Sequence, residues 1–345
     1  MKTASMSRRS AGFLTAVALV CGGMTGAARA DESFKGKQLR VIVGSGSGGG
    51  YDGHARLLTR HMGKYIPGNP TFVVQNMPGA GSLNAANHIY NLAPRDGTVF
   101  GTTHRFVPIM PLLDMEGAKF DASKFTYIGS SDKEIGLCVA WHESGFKTFA
   151  DVRNKEMIVG TTGAGAQLTT FYAALANVAG ARLKVISGYK SSRELNLAME
   201  KGEIQGRCGA SYGSLKSEAT ALLEEKKLAM LLQLGLDKDS DLPDVPLILD
   251  VVTDKARYRD AFELLLTPAS VARPFYAPPD VPQAAADTLR AAFDSSMKDA
   301  KLLAEAETQR MKIDPTKGRD IQLIVERLYK AKPEVVAQAK ALVQD

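Results

Sequence analysis

Side chains that commonly do catalysis are scarce in this sequence. Its 345 residues include five histidines, three cysteines and one tryptophan. His54, His61, His88, His104 and His142 form no H-E-x-x-H pattern, so no helix face offers paired zinc ligands. His54 and His61 are seven residues apart, too far for a pair on one turn. No cysteine–histidine group has zinc spacing. A G-x-S-x-G nucleophile elbow is absent, as is the Gly-Lys-Ser/Thr ending of a phosphate loop. The expectation is a protein with no metal, no cofactor and no catalytic set. Solenoid repeats and low-complexity tracts are also missing.

Residues 1–30 read as a secretory signal. Lys2, Arg8 and Arg9 form a charged start, an apolar run spans 11–20, and Ala28-Arg29-Ala30 offers a cleavage site. That segment carries four of the basic residues and no acid, so subtracting four from the formal +6 leaves +2. The high isoelectric point is largely a targeting feature and gives no reason to expect nucleic acid. Later in the chain no apolar run approaches the ~18 residues of a membrane span. A periplasmic protein is expected. In that oxidising compartment Cys138 and Cys208 could form a disulfide or stay as two buried thiols.

The body alternates strands, glycine loops and helices. Strands are expected over 37–43, 71–74 and 98–102, with helices over 51–65 and 83–92. The same grammar restarts with strands over 156–160, 183–186, 203–208 and 227–233 and helices over 168–179 and 192–201. A Pro-rich link over 274–282 then leads to helices over 283–297 and 319–331 and a last one opening at Pro333. This pattern argues for parallel sheets covered by helices, in two α/β lobes with a ligand cleft between them. The expected division is 31–130 plus 251–345 for lobe 1 and 131–250 for lobe 2.

The most informative segment is Gly44-Ser45-Gly46-Ser47-Gly48-Gly49-Gly50-Tyr51-Asp52. A glycine loop between strand and helix exposes backbone N–H groups, and the helix dipole favours an anion there. Gly44, Gly46 and Gly49 also fit a dinucleotide fingerprint. The second strand, however, ends at Gln75-Asn76 with no acid to hold a ribose. Pro78-Gly79-Ala80-Gly81-Ser82 and Thr161-Thr162-Gly163-Ala164-Gly165 are two further small-residue loops at helix starts. Together the three suit a carboxylate gripped by amide and hydroxyl donors. Asp52 could be a general base, although its place in the first helical turn favours a capping role. Thr103 and His104-Arg105 end the third strand, where they either reach a ligand or lie at the surface. Arg207 falls in a strand and either faces the cleft or pairs with Glu203.

In order along the chain, these loops resemble the Bug family, the extracytoplasmic receptors of tripartite tricarboxylate transporters. The family pattern P-F-P-P-G-G-G-T-D-x-x-A-R is similar to Gly44 through Arg56. N-R-P-G-A-G-G is similar to Asn76 through Ser82, and A-x-P-D-G-Y-T-L to Ala93 through Phe100. S-S-G-x-G resembles Thr161 through Gly165, V-P-Y-K-G resembles Ser187 through Ser191, and L-P-D-V-P-T resembles Leu242 through Leu247. The resemblance implies a two-lobed type II periplasmic-binding fold with a hinged cleft. Its implied ligand contacts are Ser45, Ser47, Gly48, Gly49, Asp52, Gly79, Ala80, Gly81, Thr161, Thr162, Ala164 and Tyr189. Tyr51, Thr103 and His104 are added from their positions. Ser45 and Ser47 replace the family's aromatic and proline, and Tyr51 replaces a threonine.

The function expected is capture of a small di-, tri- or aromatic carboxylate, without turnover, by a monomer that partners membrane transporter subunits. The alternatives are a receptor domain for a membrane sensor, or an exported enzyme with Asp52 or His104 as base.

Overall fold

The computed structural model describes residues 34–163 and 167–344, the side chains at 167 and 168 excepted. The expected signal segment and Ala164 lie outside the described residues. Strands β1 (Gln38–Val43), β2 (Thr71–Asn76), β3 (Val99–Thr102) and β4 (Thr126–Ser130) are followed by β5 (Gly136–Trp141), β6 (Met157–Thr161) and β7 (Leu183–Ser187). Then come β8 (Gly206–Ser211), β9 (Leu228–Leu234), β10 (Pro274–Ala277) and β11 (Thr316–Lys317). They form one sheet of order β11-β4-β10-β3-β1-β2 and another of order β7-β6-β8-β5-β9.

The strand–loop–helix repeats do give parallel pairs: β1 with β2 and β3, and β6 with β7 and β8. The sheets as wholes are mixed, contrary to the parallel expectation. β10 runs antiparallel to β3 and β4, and β5 antiparallel to β8 and β9. Each is the first strand laid down after the chain crosses from the other sheet. It starts at the edge where the parallel strands end, so it must run the opposite way. The Pro-rich link is corrected for the same reason. Pro274 opens β10, a central strand, at the first-residue position where a missing N–H is tolerated.

The two crossings lie side by side. Ser131 N–H donates to the Arg273 carbonyl at 3.2 Å, Ala272 N–H to that of Asp132 at 3.0 Å, and Glu134 N–H to that of Ala269 at 3.2 Å. The two connections are thus tied to each other by main-chain hydrogen bonds.

Side-chain alternation sets the layers. Leu39, Val41 and Val43 of β1 point to one face of the first sheet, with Phe100, Phe275 and Phe293. Ile42 points to the other, with Ile89, Phe106 and Tyr276. The helix Gly50–Met62 buries Ala55, Leu58 and Met62 as its spacing requires. Tyr65, expected on the same helix, sits in a following 3₁₀ turn and is 36% exposed. Cys138 of β5 and Cys208 of β8 are partners in register and are joined as a disulfide. Among the described residues no helix is long and apolar enough to cross a membrane.

Candidate binding site

The first glycine loop is fixed by polar side chains at the carboxyl ends of β1 and β3. Gly44 N–H donates to the Thr102 carbonyl at 2.9 Å. Ser82 Oγ donates to the Gly44 carbonyl at 2.7 Å and accepts from His104 N–H at 3.1 Å. A Cβ on Gly44 would lie 2.6 Å from that Ser82 oxygen, so the junction requires glycine. Asp52 is buried and accepts from Gly48 N–H, Arg56 Nε and Asn76 Nδ2, each at 2.9 Å, and from Ser47 Oγ at 3.4 Å. Burial alone would raise its carboxyl. The bonds from Arg56, Gly48 and Asn76 and the charge of Arg56 instead hold it below the usual range. Asp52 therefore braces the loop and stands outside the cavity lining.

A cavity of about 60 Å³, partly open to solvent, lies between the sheets. From the first sheet's side it is lined by Ser45, Gly49, Gly50, Tyr51, His104, Arg105 and Arg273. The second sheet's side supplies Thr162, Ser192, Leu195, Arg207, Gly209, Ala210, Ser211 and Ser214. The cavity sits at the N-terminal turn of the helix Gly50–Met62, whose first amides have no intrahelical acceptors.

Three arginines dominate the lining. Arg105, Arg207 and Arg273 are each at most 2% exposed. Glu134 bridges two of them, 3.2 Å from Arg105 Nη1 and 2.9 Å from Arg273 Nη2. Arg273 Nη2 also donates to Ser211 Oγ at 2.9 Å and Ser214 Oγ at 2.7 Å, while Ser211 Oγ donates to Glu134. Arg207 differs in forming no ion pair among the described residues: its Nε and Nη2 are buried without a hydrogen-bond partner, whereas Arg273, with only Nε unpartnered, is held by Glu134. Desolvation lowers its basicity and the nearby Glu218 raises it. Burial pushes Glu218 itself up, opposed by the Ser192 hydroxyl and by Arg207 and Arg273. His104 is lowered to about 4 by burial and by Arg273 and Arg105, so it is neutral at ordinary pH.

The two halves touch around this cavity. Gly46 N–H donates to the Lys190 carbonyl at 3.0 Å. A Cβ on Gly163 would lie 3.2 Å from Gly81 N and 3.3 Å from Ala80 Cα, so the second and third small-residue loops abut.

The expected contacts thus separate into groups. Ser45, Gly49, Tyr51, His104 and Thr162 line the cavity. Ser47 and Gly48 serve the Asp52 brace. Gly79, Ala80 and Gly81 form a tight turn, Gly81 with φ of 61°, pressed on Gly163 rather than lining the cavity. Thr161 Oγ1 is tied to Thr169 Oγ1 at 2.8 Å, and Thr103 Oγ1 to the Tyr276 hydroxyl at 2.6 Å. Tyr189 packs near Gly160 and interacts with Glu203. Arg207 takes the cleft-facing one of its two expected positions. Arg273, Glu134, Ser211 and Ser214 were not singled out in the sequence. A lone charge in the small-residue strand Gly206-Arg207-Cys208-Gly209-Ala210 is the one local signal available.

No protein-family model and no curated protein matches this sequence. Solved structures do match. BugD, described as a periplasmic binding protein, superposes with a TM-score of 0.68 at 18% identity, over 90% of this chain and 99% of that one. MatC from Rhodopseudomonas palustris, with bound malate, gives 0.69 at 17% identity, over 90% and 100%. An R. palustris protein with adipate gives 0.68 at 16%, over 88% and 97%. The chain has the two-lobed periplasmic-binding fold. The cavity lies in the space between its two sheets. Among the described residues no cluster could hold a metal ion.

Proposed function

We propose that this protein is a periplasmic solute-binding protein that captures a small organic carboxylate between its lobes. It carries the acid, unchanged, to membrane transporter subunits of the tripartite tricarboxylate type. One observation carries the reading: a partly open cavity between the lobes, at a helix N-terminus, lined by three buried arginines. Guanidinium forks and helix-start amides both favour a carboxylate. The malate and adipate in structures of the same fold agree with that chemistry. An enzymatic reading has little support. Asp52, one of the two candidate bases, is saturated by four donors away from the cavity. The ligand enters the open cleft, the paired crossings flex, and closure desolvates the carboxylate against the cations.

The test is a thermal-melting screen of mono-, di- and tricarboxylates and aromatic acids on the exported protein. At least one acid is expected to raise the melting temperature, with a stabilisation that grows as the logarithm of its concentration over Kd. It should be recovered chemically intact after prolonged incubation. A flat response to the whole panel, or accumulation of a product, refutes the proposal.

A further inference from the structure

The charges around the cavity do not cancel. Arg105 and Arg273 share Glu134. Glu218 lies close enough to act on both Arg207 and Arg273, and its Oε2 accepts from Ser192 Oγ at 2.6 Å. Three guanidinium groups therefore face two carboxylates. Asp132 does not close the gap, since burial and the neighbouring Glu134 push it up to about 8. His104 adds no charge at neutral pH.

The surplus is concentrated at Arg207. Its guanidinium is 2% exposed, lines the cavity and leaves Nε and Nη2 without partners, and no described carboxylate forms an ion pair with it. A buried, unpaired cation is costly to keep in an empty protein, whereas an arriving anion repays the cost through charge-assisted bonds. On the same side of the cavity the Thr162 hydroxyl is likewise buried without a partner.

We propose that Arg207 anchors the ligand carboxylate and that the ligand carries this single negative charge, with an uncharged remainder against Leu195, Ala210 and the Tyr51 ring. The inference rests on the solute-capture reading and narrows it to monocarboxylates. One planar fork matches one planar carboxylate. A second carboxylate would meet only Arg105 and Arg273, whose charge Glu134 already shares.

The experiment measures calorimetric affinity and melting temperature for the exported protein and for Arg207→Met. The probes are butyrate, benzoate and phenylacetate, the dicarboxylates succinate, malate and adipate, and uncharged benzamide. A monocarboxylate is expected to bind at least about 10-fold tighter than any of the dicarboxylates. Arg207→Met is expected to weaken it about 100-fold or more. The ligand-free variant should melt no lower than the parent, because an unpaired buried charge has gone. A dicarboxylate binding more tightly overturns the single-charge inference and leaves solute capture standing. Equal binding of benzamide, unchanged affinity in Arg207→Met, or a lower melting temperature of that variant overturns the anchoring role. Failure of every carboxylate to bind overturns the solute-capture reading itself.

Discussion

The guanidinium carbon of Arg273 lies 4.4 Å from the centre of the Tyr51 ring. Tyr51 stands in the first turn of the helix Gly50–Met62, and Arg273 ends the second crossing between the sheets. The same tyrosine hydroxyl accepts from Arg105 N–H at 3.0 Å, and its ring centre is 5.0 Å from that of His104. One side chain thus links the glycine loop, the end of β3 and the second crossing. The buried cation–π contact is worth about 1–2 kcal/mol, and the hydrogen bond about 1 kcal/mol. Tyr51→Phe should cost about 1 kcal/mol of unfolding free energy and Tyr51→Leu about 2–3 kcal/mol. Denaturant titration separates the two. Equal losses in both variants would mean the ring contributes nothing through Arg273.

Gly50 sets how closely the halves approach. A Cβ there would lie 2.2 Å from Ser214 Oγ, 2.8 Å from Arg273 Nη2 and 3.0 Å from Glu218 Oε1. Alanine is otherwise welcome at a helix start. Gly50→Ala should therefore leave the melting temperature of the ligand-free protein within a few degrees while obstructing closure. Ligand affinity should fall about 10-fold or more, roughly 1.4 kcal/mol. Small-angle scattering should show less compaction on ligand addition than in the parent. Full compaction with unchanged affinity would contradict the prediction.

Asp132 should make stability depend on pH. Burial and the Glu134 charge raise its carboxyl to about 8, opposed by Arg273 and Lys312. An acid whose folded value lies above its unfolded value of 3.8 holds its proton more tightly when folded. Its contribution is complete below about pH 4 and is lost as pH rises to about 8. The slope is at most about 1.4 kcal/mol per pH unit. Asp132→Asn should remove that component, so the variant gains on the parent most at pH 8 and above. Chemical denaturation at pH 5, 6.5 and 8 gives the comparison. A constant difference between the two proteins across that range would refute the assignment.

The Cys138–Cys208 bond closes a loop of 70 residues across adjacent strands of the second sheet. Such a crosslink typically stabilises by about 2–5 kcal/mol, through constraint of the unfolded chain. Replacing both cysteines by alanine should lower the unfolding free energy by that amount. Reductant should destabilise the parent and leave the variant unaffected. A variant as stable as the oxidised parent would show that the bond adds nothing.

Much of the fold was legible because local physics wrote it. Alternation in 38–43 and glycines after it marked β1, and apolar spacing marked the helix that follows. Strands β4, β5 and β10 were not read. β5 and β10 are each the first strand after a crossing between the sheets, and their direction follows from where the chain re-enters. No short window of sequence carries that information. Of the expected contacts, Ser45, Gly49, Tyr51, His104 and Thr162 reach the cavity because they lie at strand ends facing it. Thr103 and Thr161 are one step away, and the pleat turns them into bonds with Tyr276 and Thr169.

The chain itself determined the strand–glycine loop–helix units, the Asp52 brace at a helix start and the small-residue loops, because these depend on neighbours within a few residues. Only the tertiary structure decided that Arg105, Arg207 and Arg273, far apart in sequence, line one cavity, with Glu134 and Glu218 close enough to act on them. Coulomb interactions act through space and depend on burial. The surplus charge at Arg207 therefore exists only once both sheets are folded and pressed together.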